Sequence, residues 1–393
     1  MESKTGQLLR TVTMFAYISG LPYFWFEHLK WPQYLKTIIV SLAQALTVLF
    51  CIFMIMEILG VFTQTSLTEQ QKSDAIKYSF SQPILFMNFF KLSYHKEDIK
   101  KLIKKLLTDL PTYHNDEEVE RQLVKKAKLY LMASLGSIVF TLITVGLDSL
   151  MRVLLEDNVF TTVITTWPDV EDKSLAASVG RVIVYVVWWL WVLRLCGSMS
   201  IVITLTICTS HQYKQLQSYF CSLKNIFERN CSQLAKEEEY EKALVLGFKL
   251  HNNVLSYTQE LGRICSVAYG GLIIVNVSVM AIVLIQVTNE DRTILMVLSW
   301  IMLSIALLGS CGFYMWTLGD ITVEASQICT SMYMSGWENC TGQSSVRVRK
   351  MMVTAMTRAQ KEVVITTLMI LKVSYGSYLS IVKFTYSIFS VMY

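Results

Sequence analysis

Charge is what this chain has least of. Asp, Glu, Lys and Arg make up 17% of its 393 residues, against roughly 25% in soluble globular chains. Hydrophobic residues make up 53% and mean hydropathy is +0.43. The deficit argues against a soluble enzyme and against a disordered chain. The net charge of +5 is spread along the sequence without a basic patch, so no nucleic-acid partner is expected. Histidine is scarce too. The five histidines (His28, His95, His114, His211 and His251) are scattered and form no metal-ligand spacing. No phosphate loop, CxxC pair or nucleophile–base pair is present, so neither a cofactor nor a catalytic site is expected. There is no internal repeat, Gly/Ser linker or low-complexity tract, which leaves 1–393 as one domain. Met1 to Arg10 holds no apolar core, so no cleaved signal peptide is expected and the first span would serve as the signal.

What the chain has is long apolar runs. A spanning helix needs roughly 20 mostly apolar residues. Windows of that kind lie at about 38–62, 129–151, 179–209, 264–287, 294–318 and 362–393. A seventh, about 75–95, is interrupted by Lys77, Pro83, Asn88 and Lys91. Proline is tolerated in a span where neighbouring helices re-satisfy the backbone. The expected fold is therefore an all-α bundle of seven transmembrane helices. The polar stretches 96–128 and 210–263 read as helical, with apolar residues such as Leu102, Leu106, Leu107 and Leu110 at three-to-four spacing.

Lys and Arg set the expected orientation. Segments 1–37, 96–128, 210–263 and 319–361 hold 25 of them, and the alternate connections hold 4: Lys72, Arg152, Lys173 and Arg292. The bias predicts a cytoplasmic N-terminus and, after seven spans, an extracellular C-terminus. That is inverted relative to a G-protein-coupled receptor, the reading from a different class. Such a receptor is also opposed by the lack of cysteine in the predicted outer loops, of an acidic-Arg-aromatic triplet after the third span and of Asn-Pro-x-x-Tyr in the seventh. The sequons at Asn230 and Asn339 fall on the cytosolic side and the one at Asn276 falls inside a span, so none is expected to carry glycan.

The fourth span, VGRVIVYVVWWLWVLRL, carries Tyr185, Trp188, Trp189 and Val192 on one helical face in its outer half. Such a stripe suits a pocket for a small apolar molecule, and equally suits lipid or the membrane interface. Matching outer halves offer Tyr78, Phe80 and Phe86 on the second span, and Thr141 and Thr144 on the third. Asn276 and Gln286 lie on the fifth, and Met296 and Trp300 on the sixth. Contacts of this kind discriminate by shape, about 1–3 kcal/mol per methylene. Charges inside spans are costly. Glu57 and Arg194 need partners, and Asp148 and Arg152, at i and i+4, can pair. In the seventh span, Ser374-Tyr375-Gly376-Ser377 breaks the composition and permits a kink. Beyond it Lys383, Tyr386, Phe389 or Ser390, and Tyr393 recur at three-to-four spacing.

Three segments in order resemble the insect odorant receptor family. The first is YMWTLGDITVEASQICTSMYMSGW, 314–337, with Gly319, Glu324, Ser326, Tyr333 and Trp337 at that family's spacing. RKMMVTAMTRAQKEVVITT, 349–367, and KFTYSIFSVMY, 383–393, follow. The Gly20-Leu21-Pro22 segment near the N-terminus, the span count and the orientation extend the likeness to the whole chain. Glu362 stands where members commonly have proline, a departure expected to affect only how the last helix begins. Insect gustatory receptors share the topology. Thr385 and Tyr386 match their Thr-Tyr, but no Gln-Phe follows five residues later, so the gustatory channel stands as the alternative. The loop between the fourth and fifth spans is shorter than in the family's shared co-receptor, so the chain resembles a tuning subunit.

The resemblance implies a ligand-gated, non-selective cation channel in the plasma membrane of olfactory sensory neurons. In it a heterotetramer formed with the co-receptor surrounds one pore. It implies a small volatile ligand in the outer half of each subunit, with membrane lipid around the bundle. It also implies a cytoplasmic anchor region reaching through 314–375 to the start of the last helix, and a pore helix over 376–393. Pore-lining residues would be Tyr386, Phe389, Ser390 and Tyr393. A ring of such residues can gate by dewetting. Lys383 sits oddly beside a cation path.

Overall fold

The computed structural model describes residues 3–156, 158–289, 294–342, 344–367 and 371–392. Among these, ten α-helices follow one another: α1 (Lys4–Ile18), α2 (Gln33–Thr63), α3 (Glu69–Tyr94), α4 (Lys96–Thr108), α5 (Glu117–Glu156), α6 (Leu175–Ser222), α7 (Gln233–Asn289), α8 (Ile294–Tyr333), α9 (Ser345–Ala359) and α10 (Tyr375–Met392). A short antiparallel hairpin, β1 (Thr366–Thr367) and β2 (Leu371–Lys372), precedes α10. Among the described residues, five helices are long and apolar enough to cross a bilayer: those over Gln33–Thr63, Glu117–Leu155, Leu175–Glu228, Gln233–Val287 and Met296–Asn339. All nine cysteines are free thiols.

The weakest window is a helix turned inside out. A capping box starts α3, with Thr68 and Gln71 exchanging side-chain and backbone hydrogen bonds. The helix then buries Lys77, Ser81, Gln82 and Asn88 and exposes Ile76, Phe80, Met87 and Phe90. It packs against α2, α6 and α7. Inside a bilayer, polar residues face the bundle because lipid offers them no partner. That geometry lowers the helix's mean hydropathy, which is why it is the weakest of the windows.

The hub is α6. It packs against α8, α7, α5 and α1, and from Arg194 to Tyr213 every residue is buried. At one end of the bundle, loop 158–174 folds over α2, where Gln64 Nε2 donates to the Thr165 carbonyl at 3.0 Å. We call this the loop end. At the other, extended end, α5, α6, α7 and α8 run on and pack with α4 and α9. There α4 buries Ile99, Leu102, Ile103 and Leu106, with Leu110 just beyond and Leu107 half-buried. Gln212 Nε2 donates to the Leu106 carbonyl at 2.9 Å, and Glu237 accepts the N–H groups of Thr341 and Gly342 at 2.8 Å each. Near the N-terminus Gly20, at φ +94°, turns the chain after α1 so that Leu21, Phe24 and Trp25 bury.

The last window differs from the expectation in two ways. Residues 362–367 and 371–374 are not helix: the β-branched run Val363 to Thr367 leads into the hairpin, and the helix starts at Tyr375. Glu362 therefore lies in the segment between α9 and β1 and starts no helix. Ser374-Tyr375-Gly376-Ser377 is a helix start rather than a kink. The Ser374 N–H donates to Ser377 Oγ at 3.2 Å and the Ser377 N–H donates to Ser374 Oγ at 3.3 Å, a reciprocal cap. An 18-residue α10 spans about 27 Å, close to a bilayer core.

Gly319 seats that start. A Cβ there would stand 2.9 Å from the Tyr375 ring, and the Tyr375 hydroxyl donates to Asp320. Gly319→Val should push the ring off α8 at a cost of about 1–3 kcal/mol. It should lower the melting temperature of the purified receptor, and Tyr375→Ala in the same chain should restore part of the loss. A G319V protein that melts like the parent would show that this contact does not hold α10.

Candidate functional site

Two connected hollows lie toward the loop end. The deeper one is a chamber of about 130 Å³ between α3, α5, α6, α7 and α8. Its wall on α6 is Trp188, Trp191, Val192, Leu195 and Met199, facing Tyr78 and Gln82 on α3 and Thr141 on α5. Tyr78, Lys77 and Leu303 are shared with the second hollow, an open vestibule of about 420 Å³. Met296 and Trp300 line that vestibule among charged and polar residues of α3, α5 and loop 158–174.

Of the residues singled out by sequence, Tyr78, Thr141, Trp188 and Val192 meet on the chamber wall, and Met296 and Trp300 meet at its entrance. The others stand elsewhere. The Tyr185 hydroxyl donates to the Leu142 carbonyl at 2.8 Å, tying α6 to α5 behind the chamber. Its ring packs near Trp188, Trp189 and Phe160. Thr144 is buried, with its hydroxyl on the Thr141 carbonyl at 2.9 Å. Phe86 packs edge-on against Phe89 and Phe90. Phe80 is 45% exposed on the outer side of α3. Gln286 Nε2 donates to Asp74 at 3.0 Å. Asn276 is fully buried, and neither of its amide atoms has a hydrogen-bond partner among the described residues.

Sequence reading missed the deeper wall, Trp191, Leu195 and Met199, and Gln82 opposite it. With Trp188 and Val192 the three α6 residues recur at three-to-four spacing, so the wall continues the stripe that Tyr185 marks toward the middle of the helix. The opposite side of this part of α6 carries Val182, Ile183, Val186, Leu190 and Leu193, exposed but equally apolar, so hydropathy does not tell the wall from the outer face.

The rim is charged and internally paired. Lys77, almost wholly buried, bonds Asp74 at 2.5 Å and lies over the Tyr78 ring at 4.9 Å. Arg152 pairs with Asp148 at 2.8 Å, the i, i+4 pair allowed by their spacing, and also donates to Gln70 at 3.0 Å. Below the rim, Gln82 Nε2 donates to Glu57 at 2.7 Å, which supplies the buried carboxylate with a partner. Gln82 Oε1 is left without one among the described residues. A buried acceptor of this kind costs free energy until something donates to it. Arg194 lies deeper, donating to Thr47 at 2.7 Å with its guanidinium over Phe89 at 5.2 Å. The chamber is thus apolar, under a polar mouth, with the unpartnered Gln82 Oε1 buried in the wall beside it.

One side of α10 packs on α7 and α8, burying Ile381 and Thr385, and the Tyr378 hydroxyl donates to the Leu308 carbonyl at 3.3 Å. The opposite side carries Leu379, Val382, Lys383, Tyr386 and Ser390, all exposed. The Phe389 side chain and all of Tyr393 lie outside the described residues.

A family model described as 7tm Odorant receptor matches residues 74–386. The structure of the insect olfactory receptor OR5 from Machilis hrabei in complex with eugenol is similar at TM-score 0.81 and 14% identity, covering 98% of this chain and 97% of that one. The structure of the same receptor described without eugenol is similar at TM-score 0.81 and 13% identity over the same shares. At such identities the likeness is one of fold. A search of curated proteins returns no significant match.

Proposed function

The chain belongs to the 7tm odorant receptor family, and from that premise we propose that it is a tuning subunit of an odorant-gated, non-selective cation channel. It sits in the plasma membrane of olfactory sensory neurons with the N-terminus in the cytosol, and assembles with the family's co-receptor into a heterotetramer. The extended end, including 314–375, is the cytoplasmic anchor, and α10 is the pore helix. The odorant binds in the chamber bounded by Tyr78, Thr141 and Trp188, entering past Met296 and Trp300.

The observation that carries this reading is the chamber itself. It is an apolar hollow within a helix bundle, with few polar groups to orient a guest. A receptor of the same fold forms a complex with eugenol. Here the volume of about 130 Å³ suits a guest smaller than those of typical drug-sized pockets, about 300–1,000 Å³. The buried, unpartnered Gln82 Oε1, if its side chain turns toward the chamber, favours one that carries a single hydrogen-bond donor.

The test is heterologous expression with and without the co-receptor, recording current while screening small volatiles in matched pairs with and without a hydroxyl. Current that needs both subunits, with the hydroxyl member of a pair preferred about tenfold, is expected; one hydrogen bond of about 1.4 kcal/mol gives that factor. Epitope tags report topology independently. A tag before Met1 should stain only after permeabilisation, and one after Tyr393 should stain on intact cells. Surface staining of the N-terminal tag would overturn the orientation, and odorant responses that require a G protein would overturn the channel reading.

A further inference from the structure

A second, larger recess, about 830 Å³, opens on the flank of the molecule. It lies where two apolar runs end. On α3 the apolar stretch closes at Lys91, and on α7 it begins just after Arg263. The third wall is the segment from Arg358 to Thr366, which joins α9 to β1. Four cations line the recess, Lys91, Arg263, Arg358 and Lys361, against one carboxylate, Glu362. Arg263 is engaged by Asp98 at 2.7 Å. Lys91, Arg358 and Lys361 have no ion pair with any described residue. Burial, with the Arg358 cation nearby, pushes His251 down to about 4, so the histidine lining the recess is neutral. Below the cations lie Leu255, Val267, Val364 and Ile365.

We propose that this recess binds the phosphate headgroup of an anionic membrane lipid, with Lys91, Arg358 and Lys361 around the phosphate and the apolar floor against the first carbons of the acyl chains. A soluble phosphoester offers the same charge but has nothing for the floor. The boundary between apolar and charged helix segments is also the depth at which lipid phosphates sit and at which basic clusters recognise them. The bound lipid would hold the Arg358–Thr366 segment against α7. That segment is already fastened by Thr322 Oγ1 on the Val363 carbonyl at 2.9 Å, and Thr367 Oγ1 on the Ser266 carbonyl at 2.8 Å continues the attachment into the hairpin before α10. Lipid occupancy would thereby set where α10 starts. Binding needs only the recess; an effect on current rests also on the channel reading above.

The test uses the full-length receptor, assembled with its partner subunit, in nanodiscs of neutral phosphatidylcholine with or without a phosphoinositide or phosphatidylserine. Native mass spectrometry should detect retained anionic lipid on the parent and on a control K125Q/K128Q, both exposed lysines of α5. Retention should fall at least tenfold for K91Q/R358Q/K361Q. The parent should also melt higher in anionic than in neutral discs, a comparison that needs no variant. Equal retention by the triple variant, or equal melting in both discs, would overturn the site. Soluble inositol phosphate binding to the parent in neutral discs as tightly as the lipid would overturn the lipid as its source. In recordings, odorant-evoked current should fall several-fold when anionic lipid is removed. Lipid that binds without changing the current would overturn the regulatory role, whereas absence of odorant current in every lipid would count against the channel reading alone.

Discussion

Replacing Trp188 with alanine should raise the concentration of a small agonist needed for half-maximal response by roughly ten- to hundredfold. Larger analogues that leave the parent silent should become active. Trp188 is 5% exposed and forms the α6 wall of the chamber opposite Tyr78, with ring centroids 5.3 Å apart. Removing the indole deletes an apolar contact of about 1.5–3 kcal/mol, and each 1.4 kcal/mol is about tenfold in affinity. The same deletion enlarges a chamber that is small at the outset. Tyr185→Phe is the matched control. It removes only the hydroxyl that donates to the Leu142 carbonyl, so the dose-response curve should stay in place. Dose-response curves for several ligands in cells matched for surface expression decide the matter. An unshifted Trp188→Ala curve would mean that the odorant does not sit against this wall.

The second large effect belongs to α10. Its buried stripe, Ile381 and Thr385, faces α7 and α8, and its exposed stripe runs through Val382, Lys383, Tyr386 and Ser390. In a proposed pore helix the exposed stripe is the one left for the conduction path or for neighbouring subunits. Tyr386→Ser should therefore raise basal current several-fold, because a polar side chain wets a constriction that an aromatic ring keeps dry. Lys383→Gln should increase inward cation current at negative voltage, because it removes a positive charge from beside the path. Ligand rank order should not move in either variant, since the chamber is built on other helices. In the proposed mixed tetramer the co-receptor would supply other copies of this helix, so effects should grow with the share of mutant subunits. Altered odorant rank order with unaltered basal current and permeability would remove α10 from the pore.

Hydropathy located the long helices α2, α5, α6, α7 and α8, because a bilayer demands long apolar runs. It also exposed the odd member: the polar residues of the 75–95 window mark a helix whose polar side faces inward. The pairing of Asp148 with Arg152 followed from their four-residue spacing, and the amphipathic α4 from its three-to-four spacing. Glu57 and Arg194 could be recognised as needing partners, but not matched to Gln82 and Thr47, which come from other helices. The start of the last helix was misjudged. A run such as Val363 to Thr367 is as apolar as a span, and only its pairing as a hairpin shows that it is not one.

The sequence by itself determined the all-helical class and the order of the apolar helices, because these depend on local composition and on neighbours a few residues away. Tertiary structure decided which side of α6 forms the chamber, which polar atoms remain unpartnered beside it and which cations gather at the flank. Those outcomes depend on which helix lies opposite. Where α6 lines the chamber its exposed face is as apolar as its buried one, so composition carries no contrast between faces from which its partner could be read.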